Sequence, residues 1–371
     1  MNPHPPFRAD QVGSLLRPAA LSEARAAWKR GELPAEALRE AEDRAIAEAV
    51  RRQQAIGLRA VTDGEFRRDW WHLDFLAQLD GVELQANAGE KFRFAGQSEQ
   101  PPIASITGRI GCSRAVMVEH FAYLKQLAHA RAQVVPKMTI PSPSMLHLRG
   151  GRAAISREVY PDLDDFWSDV AAAYRQAIAH LAAAGCRYLQ LDDITFAYLC
   201  DPKIHDNCRR NGDDPMALPM RYARVINEAL RDRPADMTVT IHTCRGNFKS
   251  AWVAEGGYDP VVEAMFSTDV DGWFMEFDSA RSGGFEPLRR VPAAKRVVLG
   301  LVTTKLGELE GKDALKRRIE EAARIVPLEQ LCLSPQCGFS STYHGNDLSM
   351  DDQWRKLERV VEVAREVWGD A

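Results

Sequence analysis

Met237-Thr238-Val239-Thr240-Ile241-His242-Thr243-Cys244-Arg245-Gly246-Asn247-Phe248 begins as a β-branched run and ends in polar residues and a glycine. The run Met237–Ile241 reads as a buried strand. Residues two apart on a strand point to one face, so His242 and Cys244 project side by side from its end. An imidazole beside a thiol is a borderline-soft ligand pair of the kind zinc prefers. Taken alone, the stretch also fits an ordinary buried histidine and an inert cysteine.

Working outward, other runs of the same kind recur. Upstream lie Phe7–Ser14, Ala60–Glu65, Gln133–Thr139 and Arg187–Leu191; downstream lie Gly272–Phe277, Arg296–Val302 and Gln330–Leu333. Helical spacing fills most of the gaps. Glu36–Ile56 closes at Gly57, the stretch from Leu163 closes at Gly185, and Pro215–Leu230, Pro260–Met265, Lys312–Ile325 and Met350–Trp368 follow. Asp259 is the expected N-cap of the Pro260–Met265 helix, with Pro260 at its first position. Eight strands alternating with helices predict an α/β fold of the (β/α)8 TIM-barrel kind, here a single domain over residues 1–371. Between about Asp80 and Cys112 the periodicity fades among Gly, Gln and Pro, which suggests an inserted β-hairpin.

Composition narrows the function classes. The chain has 371 residues, 45% hydrophobic and 27% charged, with a net charge of −4, so no single-sign field points to nucleic acid or an anionic membrane. The N-terminal residues lack the apolar core of a signal peptide, and no apolar run is long enough to span a bilayer. Seven cysteines form no disulfide framework, so a cytoplasmic protein with reduced thiols is expected. A homo-oligomer is compatible with all of this.

The polar residues gather where strands end, the face on which such barrels carry their active sites. Glu276 stands inside Trp273-Phe274-Met275-Glu276-Phe277, a costly place for a carboxylate that has no partner or metal. Cys337 follows Ser334-Pro335-Gln336 and precedes Gly338, a turn that fixes a thiol at a strand end. His242, Cys244, Glu276 and Cys337 thus form a candidate zinc set drawn from three strands, unlike the close ligand pairs of a zinc finger. A barrel needs no metal staple, and two thiolates with a carboxylate favour activating a thiol over activating water.

A second group suits a small polar substrate. Gly13 and Ser14 offer backbone donors and a hydroxyl to a carboxylate, while Glu65 and Asp192 offer two anions to an ammonium group. Pairing of those acids with Arg67 or Arg68 is the competing reading. Cys112, Cys186, Cys200, Cys208 and Cys332 read as small buried hydrophobes. Trp70-Trp71, Trp273 and His344 are open between core, solvated loop and ligand contact.

Val12-Gly13-Ser14, Asp63-Gly64-Glu65-Phe66, Leu189-Gln190-Leu191-Asp192, His242-Thr243-Cys244 and Pro335-Gln336-Cys337-Gly338 occur in this order. The pattern resembles the catalytic barrel of cobalamin-independent methionine synthase, and most closely its short single-barrel relatives. The barrel is related to that of the uroporphyrinogen decarboxylases, whose chemistry has no use for His242, Cys244 and Cys337 as a set. The resemblance implies Zn2+ on His242, Cys244, Glu276 and Cys337, where the thiol of homocysteine is deprotonated and methylated to methionine. It implies that Ser14 holds the amino-acid carboxylate and that Glu65 and Asp192 hold the ammonium. Two features on the donor side differ from the family. The tryptophan expected after the third strand is absent from Lys137–Ser144, and Val302-Thr303-Thr304-Lys305 replaces a histidine loop. The methyl donor is therefore left as a methyl-folate, a methyl-corrinoid or a small methyl compound. Two alternatives stand beside this reading. One is a zinc alkyltransferase acting on another thiol, resembling epoxyalkane:coenzyme M transferase; the other is a non-catalytic zinc-binding scaffold.

Overall fold

The computed structural model describes residues 4–86, 102–129 and 133–371. Its centre is a parallel sheet in which six strands pair in the order β10-β9-β8-β7-β6-β5. These are β5 (Met138–Pro141), β6 (Tyr188–Asp193), β7 (Thr238–Thr243), β8 (Gly272–Glu276), β9 (Arg296–Val302) and β10 (Leu331–Pro335). The strands are buried almost end to end, as parallel strands covered on both faces must be.

The ring is completed by the N-terminal third. β1 (Ala60–Val61) pairs in parallel with β4 (Val135–Pro136), and Lys137 N donates to Val61 O just before β5 begins. On the opposite edge Asp10 N donates to Leu333 O and Leu333 N donates to Arg8 O. Between these edges Leu15 N donates to Gly64 O, and Thr62 Oγ1 donates to Gly13 O at 2.6 Å. The result is a closed α/β barrel. The expected first strand, Phe7–Ser14, is a correction: it forms no regular ladder and touches β10 through the single bridge Ala9–Leu333. Gly13, at φ +142°, takes the segment out of strand geometry before it could pair further.

Two apolar layers hold the barrel. Inside it, Val12, Phe274, Val298 and Cys332 form a small cluster. Near them Lys137 Nζ sits 3.1 Å from Asp10 Oδ1 and 4.0 Å from the centre of the Phe274 ring, and Tyr188 OH donates to Asp10 Oδ2. This ion pair is fully buried and hydrogen-bonded, the condition under which buried charges are tolerated. Outside, the helices Ala35–Ile56, Leu163–Ala183, Leu218–Leu230 and Met350–Trp368 bury one face each on the sheet. Their ends match local chemistry. Asp162 caps Leu163–Ala183, Ser349 and Asp352 form a capping box, and Gly57 and Gly369 terminate helices in the left-handed conformation. Trp273, open between core and ligand contact in the sequence, is fully buried core, its Nε1 donating to Thr268 Oγ1.

The expected insertion is an antiparallel hairpin of β2 (Asp80–Gln85) and β3 (Ile103–Gly111). Its connecting residues 87–101 lie outside the described residues. Two helix starts differ from expectation: the stretch Pro215–Leu230 becomes helical only at Leu218, and the helix expected from Pro260 also begins later. Asp259 and Pro260 lie in a turn in which Val261 N donates to Tyr258 O, and the helix runs Val262–Phe266 with Val261 at the N-cap. No helix among the described residues is long and apolar enough to cross a membrane.

Candidate functional site

β7 ends in His242 and Thr243 with Cys244 next, β8 ends in Glu276, and Cys337 follows β10 by two residues. Three strand ends on one rim thereby converge. One ligand atom from each of His242, Cys244, Glu276 and Cys337 lies within 4.8 Å of every other, and all four residues are buried. The two sulfurs are 3.4 Å apart. Both ring nitrogens of His242 are closed off from solvent without a hydrogen-bond partner, an arrangement that buried polar groups ordinarily avoid. Atoms of this kind at this separation can hold a divalent metal ion.

The electrostatics of the bare cluster are those of acids crowded out of water. Burial, then the charge of Cys337, pushes the Glu276 carboxyl up. The hydrogen bond between the thiols raises Cys244 well above its usual value and lowers Cys337 well below it. Burial opposes charging His242, yet its contact with Cys337 and the nearby acids Asp192 and Glu276 raise its pKa on balance. The carboxylate of Glu276 is aimed by two donors, Arg245 N to Oε1 at 3.0 Å and Arg281 to Oε2 at 3.1 Å. Sequence reasoning passed over both arginines.

The second expected group lines the same cavity, a space of about 560 Å³ counting the part open to solvent at its mouth. Ser14 is buried against the Cys337-Gly338 turn, where a Cβ on Gly338 would lie 1.9 Å from Ser14 Oγ. Gly13 stands behind it, and a Cβ there would lie 2.8 Å from Thr139 Cγ2. Glu65 follows Gly64, and both take positive φ, +60° at Glu65 itself. A non-glycine residue in that region is strained and persists only where its surroundings impose it. Asp63 Oδ1 accepts from Glu65 N, Arg17 donates to Glu65 O, and Thr139 Oγ1 donates to Glu65 Oε1 at 2.8 Å.

Asp192, beside His242 in register, accepts from Gln190 Nε2 at 2.6 Å. Burial and then the charge of Glu65 raise its pKa to about 7, and burial likewise raises Glu65. The competing pairing is present in part. Arg68 stands 3.6 Å from Glu65, whereas Arg67 pairs with Glu42 and Asp43. Asp192 has no ion pair among the described residues, so the two carboxylates face the cavity with less positive charge than they need.

The other open residues fall into place. Trp70 and Trp71 line the cavity; Trp70 lies parallel to Phe248 at 6.3 Å and edge-on to His344 at 6.1 Å, so His344 belongs to an aromatic rim. The remaining five cysteines are buried and unpaired. Lys305, seen in the sequence only as part of a replaced loop, is buried with Nζ 3.1 Å from Asn247 Oδ1 and 3.3 Å from Gly246 O. Its charge opposes the rise at Glu276 and Cys244 and adds to the fall at Cys337. Nothing in its local sequence marks that role.

Known proteins share the fold and much of the sequence. The profile of the family described as "Cobalamin-independent synthase, Catalytic domain" matches residues 7–366. The uncharacterised protein YxjG of Bacillus subtilis is 49% identical over 367 residues, covering 98% of this chain and 95% of its own. A crystal structure from Listeria monocytogenes, provisionally designated a vitamin-B12-independent methionine synthase, is 41% identical with a TM-score of 0.79, covering 98% of this chain and 99% of that one. A B12-independent methionine synthase from Shewanella, solved with selenomethionine, shares the fold at 18% identity and a TM-score of 0.73 over 97% of each chain. An α/β barrel matched by the family model over nearly its whole length, the chain belongs to the cobalamin-independent synthase family through its catalytic domain.

Proposed function

We propose that this protein is a zinc-dependent methyltransferase that moves a methyl group onto the thiol of homocysteine to give methionine. The observation that carries the reading is the sharing of one cavity by His242, Cys244 and Cys337 of the four-residue cluster and the buried Glu65–Asp192 pair. Zinc, when bound, supplies a Lewis acid that holds the substrate thiol as thiolate near neutral pH, while thiolate-rich ligation preserves its nucleophilicity.

The chain's own residues do the rest. Glu65 and Asp192 bind the substrate ammonium, and Ser14 with the backbone at Gly13 binds its carboxylate. Together these fix the side chain so that its sulfur reaches the cluster, which removes much of the entropic barrier. The sulfur then forms a bond to the methyl carbon as the donor–methyl bond breaks, and that electron pair leaves with the donor. The donor class is a methyl-folate, a methyl-corrinoid or a small methyl compound. A thiol of the coenzyme M type carries a sulfonate and no amine, so Glu65 and Asp192 would gain nothing from it. Unpaired buried cysteines suit a reducing compartment such as the cytoplasm.

Cobalt in place of zinc tests the reading directly. The thiolate-to-metal charge-transfer band is expected to grow when homocysteine is added to the cobalt-loaded protein. A band that stays unchanged supports the non-catalytic scaffold instead.

Two further results are expected. Lys305→Met removes the ammonium that offsets three acidic ligands and ties down the Gly246-Asn247 turn. Zinc affinity, measured by competition with a chelator, should fall roughly 10- to 100-fold, as for other groups that support metal ligands. Gly338→Ala drives a methyl group into Ser14 Oγ. Displacement of Ser14 by about an ångström should lower kcat/KM for homocysteine on the order of 100-fold with zinc still bound. Unchanged kinetics would remove Ser14 from the substrate site.

A further inference from the structure

The cavity has one wall that neither the metal cluster nor the amino-acid group uses. His72 and Arg149 stand there, shared between the main cavity and a smaller one that runs toward β3. His72 is 1% exposed, and neither ring nitrogen has a hydrogen-bond partner. Its ring lies 4.5 Å from that of Trp71, so the aromatic wall fixes its position. Arg149 forms no ion pair among the described residues, and its Nε is buried without a partner. The charged or ionisable groups that bear on it are Tyr198 and Cys244, with no carboxylate among them.

Arg149 is half-buried, with its Nε withdrawn from water and no anion beside it, which is costly, and the desolvation shows in its lowered pKa. Burial, and then the charge of Arg149, holds the His72 imidazole neutral, leaving one nitrogen to donate and one to accept. A planar fork of donors beside a neutral imidazole is complementary to a carboxylate or phosphate. The influence of Cys244 on Arg149 puts this wall within electrostatic reach of the metal cluster.

We propose that Arg149 and His72 form an anion-binding subsite that receives a carboxylate or phosphate group of the methyl donor. The assignment to the donor rests on the methyltransferase reading above, because the acceptor's own carboxylate is assigned to Ser14. Anion capture at Arg149 orients the donor's methyl group toward the sulfur at the cluster and rejects uncharged methyl compounds.

Calorimetric titration of the zinc-loaded full chain, saturated with homocysteine, tests this. The probes are (methylthio)acetate, methyl phosphate and uncharged 2-(methylthio)ethanol. At least one anion is expected to bind about tenfold or more tightly than the uncharged probe, and the stronger of the two identifies carboxylate or phosphate as the group recognised. Arg149→Met should erase the preference, Arg149→Lys should keep part of it, and Ser14→Ala should leave it intact. Equal binding of all three probes to the wild type overturns the proposal, as does a preference that survives Arg149→Met or vanishes in Ser14→Ala. Should Arg149→Met fail to fold, a full preference in Arg149→Lys with His72→Gln decides against it. Failure of the methyltransferase reading is seen separately, as a cobalt band that ignores homocysteine.

Discussion

Replacing Cys337 with serine is expected to strip most of the zinc and to lower homocysteine methylation by more than about 100-fold, beyond what loss of a supporting residue costs. The argument begins with the sulfurs of Cys244 and Cys337, which lie 3.4 Å apart beside His242. Serine nearly preserves the size of the side chain. It does not ionise near neutral pH, whereas Cys337 is the more acidic of the two thiols, helped first by Cys244 and then by His242. The remaining His-Cys-Glu set loses a soft anionic ligand and the charge balance that Lys305 is placed to meet. Metal content by mass spectrometry and kcat on the same sample check both halves. Folding should be retained, because Cys337 sits in the main core cluster and serine nearly keeps its volume there. A Cys337→Ser protein with full zinc and wild-type turnover would dismantle the proposed mechanism.

The legible parts of this site share one cause, the period of two that a strand imposes. His242 and Cys244 are two apart on a β-branched run, and the end of that run is visible in the residues themselves. Glu276 in an aromatic strand and Cys337 in a Pro-Gln-Cys-Gly turn are conspicuous for the same local reasons. The strand Arg296–Val302 is found with the boundaries its composition predicts. What fails to show is non-local. Phe7–Ser14 has a strand's composition, yet its pairing depends on Leu333, at the far end of the chain, and on the turn at Gly13. Asp259-Pro260 has the chemistry of a helix start, but the Tyr258–Val261 turn absorbs it first.

Basic residues are the hardest class to read. Lys305, Arg281, Arg149 and His72 sit in loops where a solvated side chain is the ordinary outcome. Their roles come from what surrounds them after folding: carboxylates for Arg281, thiols and Glu276 for Lys305, and the lack of a carboxylate for Arg149. A pattern of residue types along the chain cannot encode the absence of a counter-ion. Strain is equally hidden, since Glu65 at φ +60° is imposed by hydrogen bonds from Arg17 and Thr139 and by its own N–H donating to Asp63 Oδ1.

That strain aims one carboxylate at another, and this leads to the second large effect. Glu65→Gln and Asp192→Asn are each expected to raise KM for homocysteine by about 30- to 150-fold, the loss of one charge-assisted hydrogen bond worth about 2–3 kcal/mol. Both amides keep the size and the local hydrogen-bond geometry. Thr139 can still donate to the amide oxygen that replaces Glu65 Oε1, and Gln190 to the one that replaces Asp192 Oδ1. Turnover at saturation should change less than KM, because the ammonium is gripped as tightly before methyl transfer as during it. The double variant should cost less than the sum of the singles, since removing either carboxylate relieves the repulsion that raises the other. Zinc content is the control and should not move. The decisive comparison uses 4-mercaptobutanoate, which keeps the thiol and carboxylate of homocysteine and lacks the amine. Wild type should disfavour it strongly, and the amide variants should treat it and homocysteine nearly alike. If the variants keep the wild-type preference, the amine is recognised elsewhere and the two buried acids serve the fold alone.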